Sequence, residues 1–398
     1  MGRSSRAALL APTVTGDRPG RELTVALVGD YPIAEDTIGG GVESAFLYLV
    51  AGLRQIEGLR IHVITLDRRS RSPRKLEQPD GVVIHVLPMF PRFELARNFR
   101  TYRARLGALL AQIAPDVVHA QGATDHAYVC LRSGYPTVIT VHGIQSEDAL
   151  HQPSFALRLR KGLYARLIER YNLSHTRHLI AIGRYVTEYF RKVLHSSATV
   201  YDIPNAVAES FFALAPPGGG QTVLYAGRII VRKRVLDLVA AFASIAHDLP
   251  AATLRLAGDL RSEPAYVEQV RDLVRTSGLT ERVTLLGQLD EPRMLEEFAR
   301  ADILALASAQ ETTPMVIAQA MAAGRAIVAT DVGGVREMVI DGETGWVVPS
   351  GDVGAFSTAL RRSLTETALR DQFGAAGRRR ALAEYHVRRV ADRTHAVY

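Results

Sequence analysis

Short apolar strands alternate with helical segments along almost the whole chain, and the alternation comes in two separate series. The first series extends from residues 23–29 to residues 200–203, and the second from 222–226 to 346–348. Between them, residues 216–220 are two prolines followed by three glycines, a composition typical of a linker. Strands that alternate with helices form parallel sheets from strand–helix–strand units. The sequence therefore predicts two α/β domains joined by a linker.

The alternation also suggests where each segment begins and ends. The predicted segments are a flexible tail (1–22), a first domain (23–207), a linker (208–221), a second domain (222–377) and a final helix (378–398). The apolar piece 7–11 of the tail is too short for the core of a signal peptide. Since ligands of open α/β sheets bind beyond the carboxyl ends of the strands, we expect a ligand site in a cleft between the domains.

Charge and cysteine content narrow the class of protein. The chain has 398 residues and a net charge of +7, and the excess lies in residues 1–205, which carry 26 Lys and Arg against 18 Asp and Glu. A basic surface favours anionic partners such as a phospholipid face, a lipid-linked phosphate or nucleic acid, although solvated arginine-rich helices would give the same excess. Nucleic acid is not expected, because aromatic and basic residues do not interleave as in proteins that stack bases. The single cysteine, Cys130, cannot form an internal disulfide and favours a cytoplasmic protein.

The densest group of chemical signals lies in residues 308–351. Glu311 comes just before Thr313 and Pro314, and threonine is a good N-cap while proline is favoured at the first helical position. A helix is therefore expected to begin there, with Met315 and Val316 in its first turn. The amides at a helix start suit a phosphate, and a carboxylate suits hydroxyl groups. Both are needed to hold a sugar that is attached to a diphosphate.

This stretch resembles the carboxyl-terminal signature of the family 4 glycosyltransferases, which are retaining, nucleotide-sugar-dependent enzymes. The family pattern is a Glu, seven residues and a second Glu, and here Glu311 stands at the first position and Gln319 at the second. In the family, the first Glu contacts hydroxyls of the donor sugar and the second usually holds the ribose of the nucleotide. Gln319 can still hydrogen-bond a ribose but carries no charge, and charged acceptors are roughly twice as strong. The departure therefore bears on nucleotide affinity more than on the type of reaction.

The resemblance extends to other motifs and implies roles for their residues. Arg228, with Lys233 five positions later, resembles the family's pair of cations that hold the diphosphate, and His142 stands where the family has a histidine close to the reacting sugar. A basic surface turn and a structural histidine are the alternatives for these motifs, and His119 is expected only to line the cleft wall. The implied catalytic residues are Glu311, His142, Arg228 and Lys233. The implied donor-binding residues are Gly40, Gly41, Arg228, Lys233, Gly258, Glu311, Pro314, Met315, Val316 and Gln319.

The resemblance also implies the architecture. The expected fold is α/β of the GT-B type, with two Rossmann-like parallel-sheet domains facing across a cleft and a final helix that returns to the first domain. No cofactor is expected, since the donor substrate is itself a nucleoside diphosphate sugar. No metal is expected either, because the chain shows no Asp-x-Asp at a strand end and no Cys/His ligand spacing. The absence of a G-x-G-x-x-G after the first strand disfavours a nicotinamide enzyme.

The implied function is the transfer of a hexose-type sugar from a nucleoside diphosphate sugar to a hydroxyl acceptor. The acceptor would be a glycan or a lipid-linked molecule in polysaccharide, glycolipid or cell-envelope glycan biosynthesis. Location in the cytoplasm at the inner face of the membrane would fit the basic first half. The alternatives are a GT-B nucleotide-sugar epimerase or hydrolase, or a transferase-like binding module weakened at Gln319.

Two basic amphipathic segments of the first domain could contact an anionic membrane. They are residues 155–171, with Phe155, Leu159, Leu163, Leu167 and Tyr171 on one stripe, and residues 93–113. Such helices lie well on anionic lipid, but they also pack well on their own sheet with their charges in water. We expect both segments to pack on the sheet.

Overall fold

The computed structural model describes residues 22–33, 39–89, 94–151 and 154–398. Residues 1–21 of the expected tail lie outside that description. Within it, the first domain contains one eight-stranded sheet in the order β3-β4-β2-β1-β5-β6-β7-β8. Its strands are β1 (Leu23–Val28), β2 (Leu59–Asp67), β3 (Arg74–Glu77), β4 (Val83–Pro88), β5 (Val117–Gln121), β6 (Thr137–Val141), β7 (His178–Ala181) and β8 (Thr199–Asp202). Neighbouring strands are parallel except for β3, an antiparallel edge strand.

Helices cover both faces of this sheet, which is why its central strands are mostly apolar and buried. They are α1 (Gly41–Leu53), α2 (Arg100–Ile113), α3 (Asp125–Leu131), α4 (Gln145–Leu150), α5 (Phe155–His175) and α6 (Arg184–Phe190). One buried cluster includes α1 and continues into the second domain. A separate cluster lies on the other face and includes residues of α2, α3 and α5.

The second domain contains a six-stranded, fully parallel sheet in the order β11-β10-β9-β12-β13-β14. Its strands are β9 (Thr222–Ala226), β10 (Thr253–Ala257), β11 (Val283–Gly287), β12 (Ile303–Leu306), β13 (Ala326–Thr330) and β14 (Gly345–Val348). The helices from the linker onward are α7 (Glu209–Phe212), α8 (Val235–Ala246), α9 (Pro264–Thr276), α10 (Glu291–Arg300), α11 (Met315–Ala322), α12 (Val335–Met338), α13 (Val353–Thr365), α14 (Thr367–Glu384) and α15 (Val387–His395).

The segments that connect the domains differ in detail from the sequence prediction. Residues 208–221, expected to be only a linker, contain α7, and its Phe211 and Phe212 are buried. The final segment is not one helix from residue 378, because α14 continues to Glu384 and α15 starts only at Val387. Helix α15 packs against α1, so the chain does return to the first domain, as the fold prediction required.

The segment 93–113 also starts later than expected, since α2 begins at Arg100. Residues 94–99 form turns, and the buried carboxylate of Glu94 accepts the backbone N–H of Thr101 at 2.9 Å and of Tyr102 at 3.3 Å. This carboxylate satisfies amides of the first turn, as an N-cap would. Phe93 lies outside the described residues.

Candidate active site

A cavity of about 500 Å³ lies between the two domains, at the carboxyl ends of both sheets. Loops after β1 and β6 line it from the first domain, and loops after β9, β10 and β12 line it from the second. All eleven residues proposed from the sequence as catalytic or donor-binding line this one cavity: Gly40, Gly41, His142, Arg228, Lys233, Gly258, Glu311, Pro314, Met315, Val316 and Gln319.

Two glycines bring the Arg228 loop into the cavity. Gly258 has a φ of 155°, and a Cβ there would lie 1.7 Å from the carbonyl oxygen of Gly227. Only glycine permits this approach of two backbones. The guanidinium of Arg228 makes no hydrogen bond or ion pair with any residue that the structure describes. Arg228 therefore lines the cavity as a cation able to bind a ligand anion.

Lys233 and Glu311 form an ion pair beside it. Their side chains are 13% and 7% exposed, and the Nζ atom of Lys233 bonds Oε1 of Glu311. Ser308 donates to the same Oε1 atom at 2.6 Å. Burial lowers the pKa of Lys233, while the carboxylate of Glu311 acts in the opposite direction. Across the described residues, Oε2 of Glu311 makes no hydrogen bond, so it can accept one from a ligand hydroxyl.

Two helix N-termini meet at the cavity. The N-cap of α1 is Gly40 and that of α11 is Pro314, and neither helix has a side-chain cap. A Cβ at Gly41 would lie 3.3 Å from Cγ of Met315, so the two helix starts are in close contact across the domains. Both dipoles and both sets of amides therefore favour an anion here.

The start of α11 corrects the sequence prediction by one residue, because Pro314 and not Thr313 is the N-cap. The loop before α11 contacts the turn after β13, where Gly334 donates its N–H to the carbonyl of Thr312 at 2.8 Å. A Cβ at Gly334 would lie 3.0 Å from Cγ2 of Thr313. Thr313 therefore packs against the Gly333-Gly334 turn and leaves the α11 amides without a side-chain acceptor.

His142 is held by two amide side chains. Its Nδ1 lies 2.9 Å from Oδ1 of Asn205, and its Nε2 lies 2.8 Å from Oε1 of Gln121. Burial lowers the pKa of His142 to about 4, so the ring is neutral and carries one N–H. Since Nε2 of Gln121 is buried without a partner in the described structure, turning that amide over satisfies both groups. The ring then has no nitrogen left for the sugar hydroxyl expected from the sequence.

His119, expected at the cleft wall, lies behind it. It is fully buried in β5, with Nε2 2.7 Å from the hydroxyl of Thr140 and Nδ1 2.6 Å from the hydroxyl of Tyr398. Burial lowers its pKa to about 3. His119 does not line the cavity, because its side chain is buried within the domain and is covered by Tyr398.

Tyr48 and Glu291 line the cavity but were not found from the sequence. The hydroxyl of Tyr48 in α1 donates to Oε2 of Glu291 in α10 at 2.7 Å, and Gln319 lines the cavity beside this pair. Gln319 therefore has a carboxylate close by, although it carries none itself. The structure has Asp290 as the N-cap of α10, and no sequence motif indicated that the start of this helix faces α1 of the other domain.

Two family models match adjacent parts of the chain. The model described as Glycosyltransferase Family 4 matches residues 39–211, and the model described as Glycosyl transferases group 1 matches residues 207–380. Together they include all eleven of the cavity residues proposed from the sequence. The chain belongs to the family 4 glycosyltransferases. It is therefore an enzyme, a glycosyltransferase of the hexosyltransferase class.

Individual relatives of this family 4 glycosyltransferase have several named activities. A glycogen synthase of Mycobacterium tuberculosis is 28% identical over 291 residues, which are 71% of this chain and 68% of that protein. A phosphatidyl-myo-inositol mannosyltransferase of Mycobacterium leprae is 31% identical over 226 residues, which are 55% of this chain and 58% of that protein.

Solved structures confirm the GT-B fold. Sucrose-phosphate synthase of Thermosynechococcus elongatus superposes with a TM-score of 0.79 at 23% identity, covering 94% of this chain and 98% of that one. HepE of Anabaena, solved in complex with UDP-glucose, gives a TM-score of 0.72 at 18% identity with the same coverage. At these identities the likeness establishes the fold, and the donor of this enzyme has to be argued from its own residues.

Proposed function

We propose that this glycosyltransferase moves a hexose-type sugar from a nucleoside diphosphate sugar to a hydroxyl acceptor, with retention of the anomeric configuration. One observation carries the proposal. The cations Arg228 and Lys233, the carboxylate of Glu311 and the uncapped starts of α1 and α11 converge on one interdomain cavity.

The positive groups suit the diphosphate. A leaving diphosphate gains negative charge in the transition state, and preorganised donors aimed at that charge lower the barrier. Arg228 can bind a phosphate through two N–H groups, while Lys233 acts as a point charge. Amides of α1 and α11 add donors from both domains.

The remaining residues suit the sugar and the ribose. Oε2 of Glu311 would accept hydrogen bonds from donor-sugar hydroxyls, while Ser308 and Lys233 hold Oε1 in place. Gln319 would contact the ribose, and the hydrogen-bonded pair of Tyr48 and Glu291 would line the same part of the cavity. His142 would shape the wall through its backbone and ring rather than donate a proton, because its ring nitrogens are already bonded.

The state of Glu311 favours a front-face reaction. Its carboxylate is paired and hydrogen-bonded, which makes it a poor nucleophile. The acceptor oxygen would then attack the anomeric carbon on the face that the diphosphate leaves. The bond from that carbon to the phosphate oxygen breaks as the new glycosidic bond forms, and the acceptor proton passes to the departing phosphate.

We place the acceptor, a glycan or a lipid-linked molecule, at the first-domain side of the cavity. The names of the relatives, a glycogen synthase and a phosphatidyl-myo-inositol mannosyltransferase, support a role in polysaccharide or cell-envelope glycolipid synthesis. Location in the cytoplasm at the inner membrane face is part of the same proposal. Within the described residues, no helix is long and apolar enough to cross a bilayer.

The test is to incubate the purified enzyme with UDP-, GDP-, ADP- and dTDP-sugars, with and without a lipid and glycan extract. Released nucleoside diphosphate is followed by mass spectrometry, and NMR gives the anomeric configuration of the product. Release that requires the extract, with the donor's configuration kept, is the expected result. Equal release without an acceptor would instead indicate a hydrolase or epimerase, and binding without release a weakened module. Since the proposed charge stabilisation needs no metal, EDTA should leave the release unchanged.

A further inference from the structure

Helix α5 exposes a ridge of large apolar side chains. Phe155, Leu159, Leu163 and Leu167, here called the α5 ridge, are spaced four residues apart and are 79%, 63%, 58% and 55% exposed. The buried residues of α5 are Ala165, Ile168, Glu169, Asn172 and Leu173. The expected packing of this stripe on the sheet is therefore wrong for these four residues. A contiguous exposed apolar surface of this kind is typical of an interaction site.

The exposed charge of α5 is entirely positive. Five cations on the same helix are exposed: Arg158, Arg160, Lys161, Arg166 and Arg170. The one acidic residue of α5, Glu169, is 2% exposed and accepts the backbone N–H of Gln145 at 2.6 Å and of Ser146 at 3.3 Å. An apolar ridge between cations suits an anionic lipid surface, where the leucines enter the acyl boundary and the cations meet headgroup phosphates.

The acidic residues of the neighbouring helix α4 do not offset this charge. Asp148 lines the cavity and lies 3.5 Å from Arg232 of the second domain. Glu147 accepts a hydrogen bond from the hydroxyl of Tyr189 at 2.7 Å. At the end of α4, Leu150 is 48% exposed and adds an apolar side chain next to the start of α5.

We propose that the α5 ridge and its cations dock this enzyme on an anionic lipid surface. A second copy of the chain is a poorer partner, because a symmetric contact between two α5 helices would bring five cations against five cations. An anionic bilayer complements both the apolar and the charged parts of the surface. The proposal does not depend on the identity of the donor or on the stereochemistry of transfer.

The position of α5 connects this surface to the cavity. Helix α4 packs along α5, and a Cβ at Gly162 would lie 3.8 Å from Cβ of Ala149. Asp148, which precedes Ala149 in the chain, lines the cavity. Glu169 of α5 accepts the backbone N–H groups at the start of α4. The docked lipid surface would therefore lie one helix away from the acceptor side of the cleft. If the proposed function holds, this places a lipid-linked hydroxyl within reach of the donor.

Flotation of the full-length protein with lipid vesicles tests the docking. The vesicles contain either phosphatidylcholine alone or equal parts of phosphatidylcholine and phosphatidylglycerol. The unaltered protein should float with the anionic vesicles and not with the neutral ones. The variant Leu159→Gln with Leu163→Gln should lose about tenfold in vesicle partitioning for each leucine. Each of Arg160→Gln and Arg166→Gln should lose about fivefold.

Matched controls separate docking from folding and from catalysis. Ile340→Gln with Leu382→Gln changes two apolar residues that are 40% and 45% exposed elsewhere. Arg271→Gln with Arg275→Gln changes exposed cations of α9. Both controls should float like the unaltered protein, and all variants should keep its thermal unfolding and nucleotide binding.

Three results would overturn the proposal. They are failure of the unaltered protein to bind anionic vesicles, equal flotation of the Leu159 and Leu163 double variant, and a dimer in lipid-free light scattering that this variant converts to monomer. The last result would assign the ridge to a second copy. None of these readouts uses glycosyl transfer, so failure of the docking proposal is distinct from failure of the proposed function.

Discussion

The ion pair of Lys233 and Glu311 is the central feature at the scale of single residues. Burying two charges is costly unless they are paired and hydrogen-bonded, and here Ser308 adds the extra hydrogen bond. The sequence motifs predicted that both residues face the donor. They could not predict that the two residues pair with each other, because they are 78 positions apart in the chain.

The pH profile should report the charge of Lys233. Burial lowers its pKa from the ordinary value of 10.5, so the amine loses its proton, and the diphosphate loses a cation, at a lower pH than for an exposed lysine. We expect kcat/KM to fall as the pH rises, with an alkaline limb below pH 10.5. Lys233→Arg should move this limb upward, because arginine keeps its charge. An unmoved limb would show that another group titrates.

Gln319 makes a second prediction at this scale. Gln319→Glu would restore the family pattern, but it would place a second carboxylate beside the Tyr48 hydroxyl, which already donates to Glu291. Two carboxylates that line the same small part of the cavity repel each other, so we expect nucleotide affinity to fall about tenfold, equivalent to about 1.4 kcal/mol. Adding Glu291→Gln should restore it. Titration calorimetry with the nucleoside diphosphate measures both variants, and tighter binding by Gln319→Glu alone would contradict this account.

At the scale of elements, glycines set the position of the loops that line the cavity. Gly258 allows the Gly227-Arg228 backbone to approach, and Gly333 does the same for Glu311, since a Cβ at Gly333 would lie 1.7 Å from the carbonyl oxygen of Glu311. Loops held by backbone contacts can place side chains without moving on ligand binding. This preorganisation is what electrostatic stabilisation of a transition state requires.

Gly258→Ala should therefore displace the Arg228 loop. A shift of about 1 Å costs roughly a hundredfold in rate, so we expect kcat/KM to fall by about that factor while the protein stays folded. Gly278→Ala is the control, because Gly278 also has a positive φ of 68° but nothing lies within 4 Å of its Cβ position. Similar steady-state kinetics for the two variants would mean that backbone strain alone, and not loop displacement, explains the effect.

The elements differ in how well the sequence predicts them. Strands buried on both faces, such as β12 and β13, stand out as apolar runs. The edge strand β3 is short and mostly exposed, so it carries no such signal. Helix α5 shows the opposite difficulty, because a stripe of leucines between cations has the same spacing whether it packs on a sheet or meets a lipid. Only the fold decides which face of α5 is covered.

At the scale of the whole molecule, the two domains are joined by more than the linker. Helix α15 lies on α1, and Val207 donates to the carbonyl of Tyr385 at 2.8 Å. Across the cleft, the backbone N–H of Arg184 donates to Glu337 at 2.7 Å. The sequence predicted the two domains and the eleven cavity residues through local motifs. These interdomain contacts join residues far apart in the chain, so no local pattern could indicate them.

Gly52 tests the contribution of the returning helix. A Cβ at Gly52 would lie 2.7 Å from the carbonyl oxygen of Val387 and 2.8 Å from Cβ of Ala391. Replacing a helical glycine by alanine normally stabilises by about 0.5–1 kcal/mol, but overpacking here should cost about 1–3 kcal/mol. We expect Gly52→Ala to lower the melting temperature and Gly107→Ala, with nothing near its Cβ position, to raise it. Calorimetry that shows the same change for both would refute close docking of α15.

If the cations of the second domain stabilise the departing diphosphate, Lys233→Ala should slow its release. Single-turnover release of nucleoside diphosphate from the identified donor is compared in the unaltered enzyme, in Lys233→Ala and in Arg275→Ala, which removes an exposed cation of the same domain. We expect Lys233→Ala to slow release by about 10²–10³-fold, or about 3–4 kcal/mol, while nucleotide still binds. Arg275→Ala should leave the rate unchanged. Release by Lys233→Ala at the unaltered rate would mean that the diphosphate leaves without help from the buried lysine.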